Sequence, residues 1–211
     1  MRFRPVFALL VCTYSFIFLS GFFGMPIHPA AVEPDAEELL GKQLFIYRIK
    51  PEERGGEAFK LIYLVPVSVD VFWRFKTDFR GKFLLSNKYI KEHRVIRETG
   101  NVIITENTYS NVPNETFRWQ TTVYPDQYRL KFQLENPREC GQKFHYGTIT
   151  LEPFRSYTKV THIAYFDFFG AYVWVNLPLG GGMSSFLMYT ARWERETILR
   201  LKHQYENQPP K

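Results

Sequence analysis

Cysteine is nearly missing from this chain: 211 residues hold two, at positions 12 and 140. That excludes a disulfide scaffold and any zinc site built on cysteines. Thirteen glycines and thirteen prolines are scattered without period, which excludes collagen-like and low-complexity classes. No G-x-S-x-G, H-E-x-x-H, Walker-type or G-x-G-x-x-G run occurs, so no motif announces a hydrolase, a zinc protease or a nucleotide site. Charge is sparse too, with 27 basic against 21 acidic residues for a net +6. What the chain has in excess is aromatic side chains. Its 20 Phe, 13 Tyr and 4 Trp make 18% of the residues within a 45% hydrophobic composition. Such a chain is not intrinsically disordered, and it has material for one sizeable core.

The first thirty residues take part of that excess. Arg2 and Arg4 precede a stretch from Pro5 to Val32 without Asp, Glu, Lys or Arg, whose apolar heart runs from Val6 to Met25. A basic start followed by an apolar run is the mark of an export signal. The run is also about the 20 residues that span a bilayer, so a cleaved signal (best site Pro29-Ala30-Ala31) and a retained anchor both stand for residues 1–31. With the arginines held inside, the remainder is expected outside the cytoplasm, in a bacterial periplasm or cell envelope. Cys12 lacks the small residues before it that lipidation wants. Cys140 is then the lone exported thiol and can form no internal disulfide. Without Arg2 and Arg4 the net charge falls to +4, too mild for a nucleic-acid partner.

Residues 32–55 read as an acidic linker or short helix and a possible extra strand at Gln43–Ile49. Glu57–Val67 is a firmer strand ended by Pro66. Ser68 is placed to cap a short helix, SVDVFWRFKTDF, with Phe72, Phe75 and Phe79 at helical spacing. Strand patterns follow at 89–98, 102–109, 115–124, 128–135, 142–152 and 158–168, with Gly100-Asn101 as a hairpin turn. A 23-residue segment from Met183 to Tyr205, free of Gly and Pro, predicts a long amphipathic helix with Phe186, Thr190, Trp193, Thr197, Leu201 and Tyr205 on one line. Residues 207–211 read as a disordered tail. The fold class is α+β: a curved antiparallel sheet of about six to seven strands gripping the C-terminal helix.

Two segments carry a resemblance. Val65-Pro66-Val67-Ser68 leads into Phe72-Trp73 and Thr77-Asp78-Phe79. Gly147-Thr-Ile-Thr-Leu-Glu-Pro153 leads into Thr158-Lys-Val-Thr. Together, in this order over residues 56–206, they resemble the START-like helix-grip superfamily (SRPBCC), which includes polyketide cyclase/dehydrase and coenzyme-Q-binding relatives. Ile149 stands where that family more often has an aromatic. The resemblance implies an apolar cavity between sheet and helix that takes lipids, sterols, quinones or similar molecules; a minority of members are cyclases or hydrolases.

Alternation on 157–168 puts Val160, His162, Ala164, Phe166 and Phe168 on one face, while His145, Gly147, Ile149 and Leu151 share a face of the strand before it. The expected cavity residues are His162, Ala164, Phe166 and Ile149 from the sheet and Phe186, Thr190 and Trp193 from the helix. If Leu151 pairs with Val160, then His162 faces Ile149 and His145 faces Phe166. The two histidines then lie about 13 Å apart, at ~3.3 Å per residue, and cannot share a metal. Asp78 and Asp167 show no partners. Between Arg74 and Arg97 stand eight basic residues and two acidic ones. Lys82, Phe83, Leu84 and Lys88 are therefore expected either to dock on an anionic membrane surface or to form a solvated face with its apolar residues inward. The function this supports is extracytoplasmic binding or carriage of a hydrophobic small molecule or lipid, without cofactor, metal or nucleic acid. The alternative is an aromatase/cyclase-like enzyme using His162 with Tyr146 or Tyr165.

Overall fold

The computed structural model describes residues 33–110, 112–169 and 182–208. The leader, its cleavage site, Gly180 and Gly181 lie outside the described residues. Among the described residues, no helix is long and apolar enough to cross a membrane.

Eight strands form one curved, open antiparallel sheet in the order β1-β2-β8-β7-β6-β5-β4-β3. Their ranges are β1 Leu44–Arg48, β2 Glu57–Val65, β3 Ile90–Thr99, β4 Val102–Tyr109, β5 Val112–Tyr124, β6 Arg129–Leu134, β7 Gln142–Phe154 and β8 Tyr157–Phe168. Among the described residues the helices are α1 (Ala36–Lys42), α2 (Val69–Lys76) and α3 (Gly182–Glu206), with the 3-10 turn at Lys82–Ser86 after α2 and further 3-10 turns at Pro125–Gln127 and Pro137–Cys140. β1 lies within the possible extra strand at Gln43–Ile49 and joins the sheet by pairing with β2, Leu44 opposite Tyr63. The strand count therefore exceeds six to seven. Asp35 starts α1 with a capping box to Glu38, which ties down backbone donors otherwise left open.

The path of the chain explains why there is room inside. After β2, α2 and the 3-10 turn carry the chain to the far edge of the sheet, where β3 begins. The meander from β3 to β8 then returns until β8 pairs with β2, Tyr63 opposite Val160. β2 is buried on both faces. Leu61, Tyr63 and Val65 point to the main core, and Ile62 and Leu64 pack behind the sheet against Leu39 of α1. This is why residues 61–65 are a continuous apolar run rather than an alternation. The 3-10 turn after α2 closes an aromatic group in which Phe83 packs on Phe75 and Trp193, with ring centroids 4.6 and 6.1 Å away.

Gly147 is required by close approach. A Cβ there would lie 2.0 Å from the carbonyl oxygen of Ile163 and 2.6 Å from Cζ of Phe132. The Phe132 ring takes the space a side chain would fill. Ser68 does occupy the N-cap position of α2, but its hydroxyl makes no capping bond. Asp70 in the first turn instead accepts a hydrogen bond from the Tyr128 hydroxyl at 2.5 Å.

Candidate functional site

Where α3 does not lie directly on the sheet, a cavity of about 260 Å³ remains, walled by β3 to β8, α2, the 3-10 turn and the first half of α3. The antiparallel register places its sheet side. Leu151 pairs with Val160, Ile149 with His162 and His145 with Phe166, the pairing expected from the alternation. His162, Ile149, Phe186, Thr190 and Trp193 all line the cavity. Ala164 and Phe166 do not; at 0% and 2% exposure they belong to the packed core. Ala164 is the cross-strand partner of Gly147, over which Phe132 lies. Phe166 stacks on Phe59 with centroids 5.8 Å apart.

Aromatic rings recur around the wall. Phe75, Phe79, Phe83, Trp119, Phe132 and Phe186 contribute from α2, the turn region, the sheet and α3. Several polar groups of this wall are hydrogen-bonded. Trp193 Nε1 donates to Ser86 Oγ at 3.1 Å. Trp119 Nε1 donates to the Tyr109 hydroxyl at 3.2 Å, and burial raises the pKa of that phenol. His93 bonds Asn107 Oδ1 at 2.6 Å and the Phe79 carbonyl at 2.7 Å. Asp78 is not isolated, since it accepts from the Tyr205 hydroxyl at 2.8 Å; nor is Asp167, paired with Lys143 at 2.8 Å.

Two residues that the sequence did not single out form the ionic feature of the cavity. Lys76, at the end of α2, forms an ion pair with Glu194 on α3. Tyr63 of β2 donates its hydroxyl to the other Glu194 oxygen at 2.5 Å. Burial first, and then the Glu194 charge, push the Tyr63 phenol well above its ordinary range. A buried charge must be paired and hydrogen-bonded to be tolerated, and Glu194 is both. The heptad-like line of α3 runs one residue to the side of its true inner face, which also includes Leu187, Ala191, Glu194 and Ile198. The only hint in the sequence was a charge within reach of that face.

Two polar atoms of cavity-lining residues are buried without a hydrogen-bond partner: Nε2 of His162, on β8, and Oγ1 of Thr190, on α3. His145 and His162 do not converge. Each packs against Phe132, at centroid distances of 6.2 and 5.3 Å, and among the described residues no cluster of metal ligands exists. Burial pushes both imidazoles down to about 3; for His162 the nearby Lys76 charge adds to burial. Both are therefore neutral through the physiological range.

That shift has a consequence for stability. Between pH 6.5 and 3 the unfolded chain binds protons on these histidines that the folded chain refuses, so stability falls as the pH drops through this window. By pH 5 the loss is about 2 kcal/mol per histidine relative to neutral pH, on the usual 1.36 kcal/mol per unit. Melting curves at pH 7 and pH 5 check this. His162→Phe is expected to roughly halve the difference, and an unchanged difference would contradict the assigned burial.

The remaining expected residues lie elsewhere. Tyr146 and Tyr165 stack on each other, centroids 5.2 Å apart, on the outer face of the sheet, where Tyr146 donates to Glu52 at 2.7 Å. Strand alternation holds them on the opposite side from His162, so the expected acid–base partnership has no geometry. Phe83 and Leu84 turn into the cavity and are not an exposed knob. Lys82 and Lys88 do project outward, and the apolar residue presented with them is Leu85, 54% exposed. Several of the cations around them are already neutralised: Lys76 by Glu194, Arg80 by Glu98 and Arg94 by Glu106. Cys140 is buried, and burial pushes its thiol up to about 12, which makes it a packing residue rather than a nucleophile.

No protein-family model matches this sequence, and no curated protein matches it significantly. Solved structures do match in fold. Norcoclaurine synthase of Thalictrum flavum, as a point mutant with a transition-state analogue, is 16% identical over 75% of this chain and 98% of its own, with a TM-score of 0.51. The same enzyme in complex with dopamine and hydroxybenzaldehyde is 14% identical over 80% of this chain and 94% of its own, TM-score 0.51. A START superfamily protein of Mycobacterium smegmatis is 13% identical over 68% of this chain and 98% of its own, TM-score 0.51. The fold is thus the helix-grip fold that the two motif segments resemble.

Proposed function

We propose that this protein is an extracytoplasmic binding or carrier protein for a hydrophobic small molecule held between the sheet and α3. The observation that carries the proposal is the largely apolar cavity of about 260 Å³ between sheet and α3, with aromatic rings from both among its lining. Apolar burial supplies affinity at about 25 cal/mol per Å². Acid–base catalysis is the weaker alternative, because a catalyst is best poised near the working pH and both cavity histidines are held neutral far below it. Arg2, Arg4 and the apolar run behind them support export.

Native mass spectrometry of the protein purified from its host, with extraction of whatever accompanies it, tests this. A stoichiometric hydrophobic molecule is expected; a protein that is empty and binds no hydrophobic probe would sink the proposal. Lys82, Leu85 and Lys88 support a second element, exchange of the ligand at an anionic bilayer. Charge reversal at Lys82 and Lys88 is expected to weaken sedimentation with anionic liposomes several-fold, and unchanged sedimentation would dismiss docking by this face.

A further inference from the structure

β3 is an open edge of the sheet, and it is irregular in two places. Its pairing with β4 slips between Ile90 and Glu92 and again between Val95 and Arg97. Lys91 and Ile96 are therefore extra residues with no partner opposite them. A bulge re-aims the side chain it carries and keeps an edge from pairing with a further strand. Here the two re-aimed side chains are a cation and a large apolar group. Ile96 is 46% exposed; it and Leu85 of the 3-10 turn after α2 stand open to solvent among the described residues, as do Phe169 and Leu199 elsewhere.

The turn and the strand edge adjoin. The turn packs against β3, His93 bonds the Phe79 carbonyl just ahead of the turn, and Arg80 pairs with Glu98 near the end of the strand. The charges on these two elements are mostly basic. Arg80 and Arg94 have acidic partners, Glu98 and Glu106. Lys82, Lys88, Lys91 and Arg97 are exposed and, among the described residues, form no ion pair. Glu92 is the one acidic residue between positions 82 and 97. Single apolar side chains spaced among free cations lack the continuous apolar centre of a protein–protein interface. They match an anionic bilayer, where lysine and arginine meet lipid phosphates and apolar side chains enter the interface.

We propose, building on the bilayer exchange above, that the bulged edge of the sheet docks together with the turn: Ile96 and Leu85 enter an anionic phospholipid surface, and Lys82, Lys88, Lys91 and Arg97 meet its phosphates. The test uses the full chain with Cys12→Ser; Cys140 is buried, so a single introduced cysteine takes the label. Leu85→Cys, Ile96→Cys and Leu199→Cys each carry a polarity-sensitive nitrobenzoxadiazole dye, on vesicles of phosphatidylcholine alone or with an equal part of phosphatidylglycerol. Any binding through residues 1–31 is common to all three variants. The dyes at Leu85 and Ile96 are expected to shift to the blue and brighten several-fold when phosphatidylglycerol is present, and the dye at Leu199 to stay unchanged. Adding Lys91→Glu and Arg97→Glu to the Ile96→Cys protein raises the phosphatidylglycerol needed for the shift by about tenfold or more, at roughly fivefold per cation lost. Lys91→Gln with Arg97→Gln, which removes the charges without reversing them, acts in the same direction.

The outcomes separate this edge from docking in general. A shift at Leu85 without one at Ile96 overturns the role of β3 while docking by the turn stands. Equal shifts at all three positions overturn it too, because no face is then preferred. A dye at Ile96 that is already blue-shifted without vesicles, to an extent that rises with protein concentration, means that a second copy covers the edge and the bilayer does not. If no dye responds to phosphatidylglycerol, docking itself fails.

Discussion

Replacing Lys76 with methionine is expected to destabilise the protein by about 3–5 kcal/mol, the usual cost of removing one partner from a buried ion pair. For a domain of this size that is roughly 6–20 °C in melting temperature. The loss comes less from the missing attraction than from what stays behind, a Glu194 carboxylate with only Tyr63 to bond it. The double variant Lys76→Met with Glu194→Leu removes both charges and is expected to recover most of the loss. Thermal melts at pH 5 and 8 of the two variants check this. A single variant as stable as the parent at pH 8 would show that the pair is solvated.

Gly147→Ala is expected to cost about 3 kcal/mol, at the upper end of overpacking penalties. The added methyl meets the Ile163 carbonyl oxygen at 2.0 Å, backbone that cannot turn aside, and Phe132 at 2.6 Å. Relief has to come from parting β7 and β8 or displacing Phe132 into the cavity. Either route reaches the site, because Phe132 lines the cavity and packs on His162. Equilibrium urea unfolding measures the cost, and a loss under about 0.5 kcal/mol, the size of an ordinary surface substitution, would contradict the close packing at Gly147.

The fold was more legible in the sequence than the site, for a physical reason that particular residues illustrate. Strand periodicity is two, so fixing one cross-strand pair fixes all of them. Leu151 opposite Val160 was enough to set His162 against Ile149 and to keep the two histidines apart. A helix gives no such leverage. Reading α3 from Phe186, Thr190 and Trp193 found the cavity side but missed Glu194, because a charged residue seldom belongs to a buried face. Its partner Lys76 sits in a basic run, and only the packing of α2 against α3 distinguishes it from solvated neighbours. Phe83 and Leu84 are a different case: apolar residues among cations fit an exposed knob and an inward turn equally well, and the packing of Phe83 on Phe75 and Trp193 favours the inward one of the two. Ala164 and Phe166 have the right face for the cavity, but it ends where Phe132 closes over Gly147. That boundary depends on a ring from another strand, which no local pattern encodes.

The proposed role comes down to whether the space between sheet and α3 is where a hydrophobic molecule binds. Trp119 and Trp193 both line it, so quenching of tryptophan fluorescence by an aromatic hydrophobic probe reports occupancy directly. The decisive measurement compares that titration in the parent protein and in Thr190→Phe, which fills the cavity from the helix side. Saturable one-to-one quenching in the parent, weakened at least tenfold by Thr190→Phe while the melting temperature holds or rises, is the expected result. Quenching that does not saturate, or that is the same in both proteins, would contradict a ligand site in this cavity.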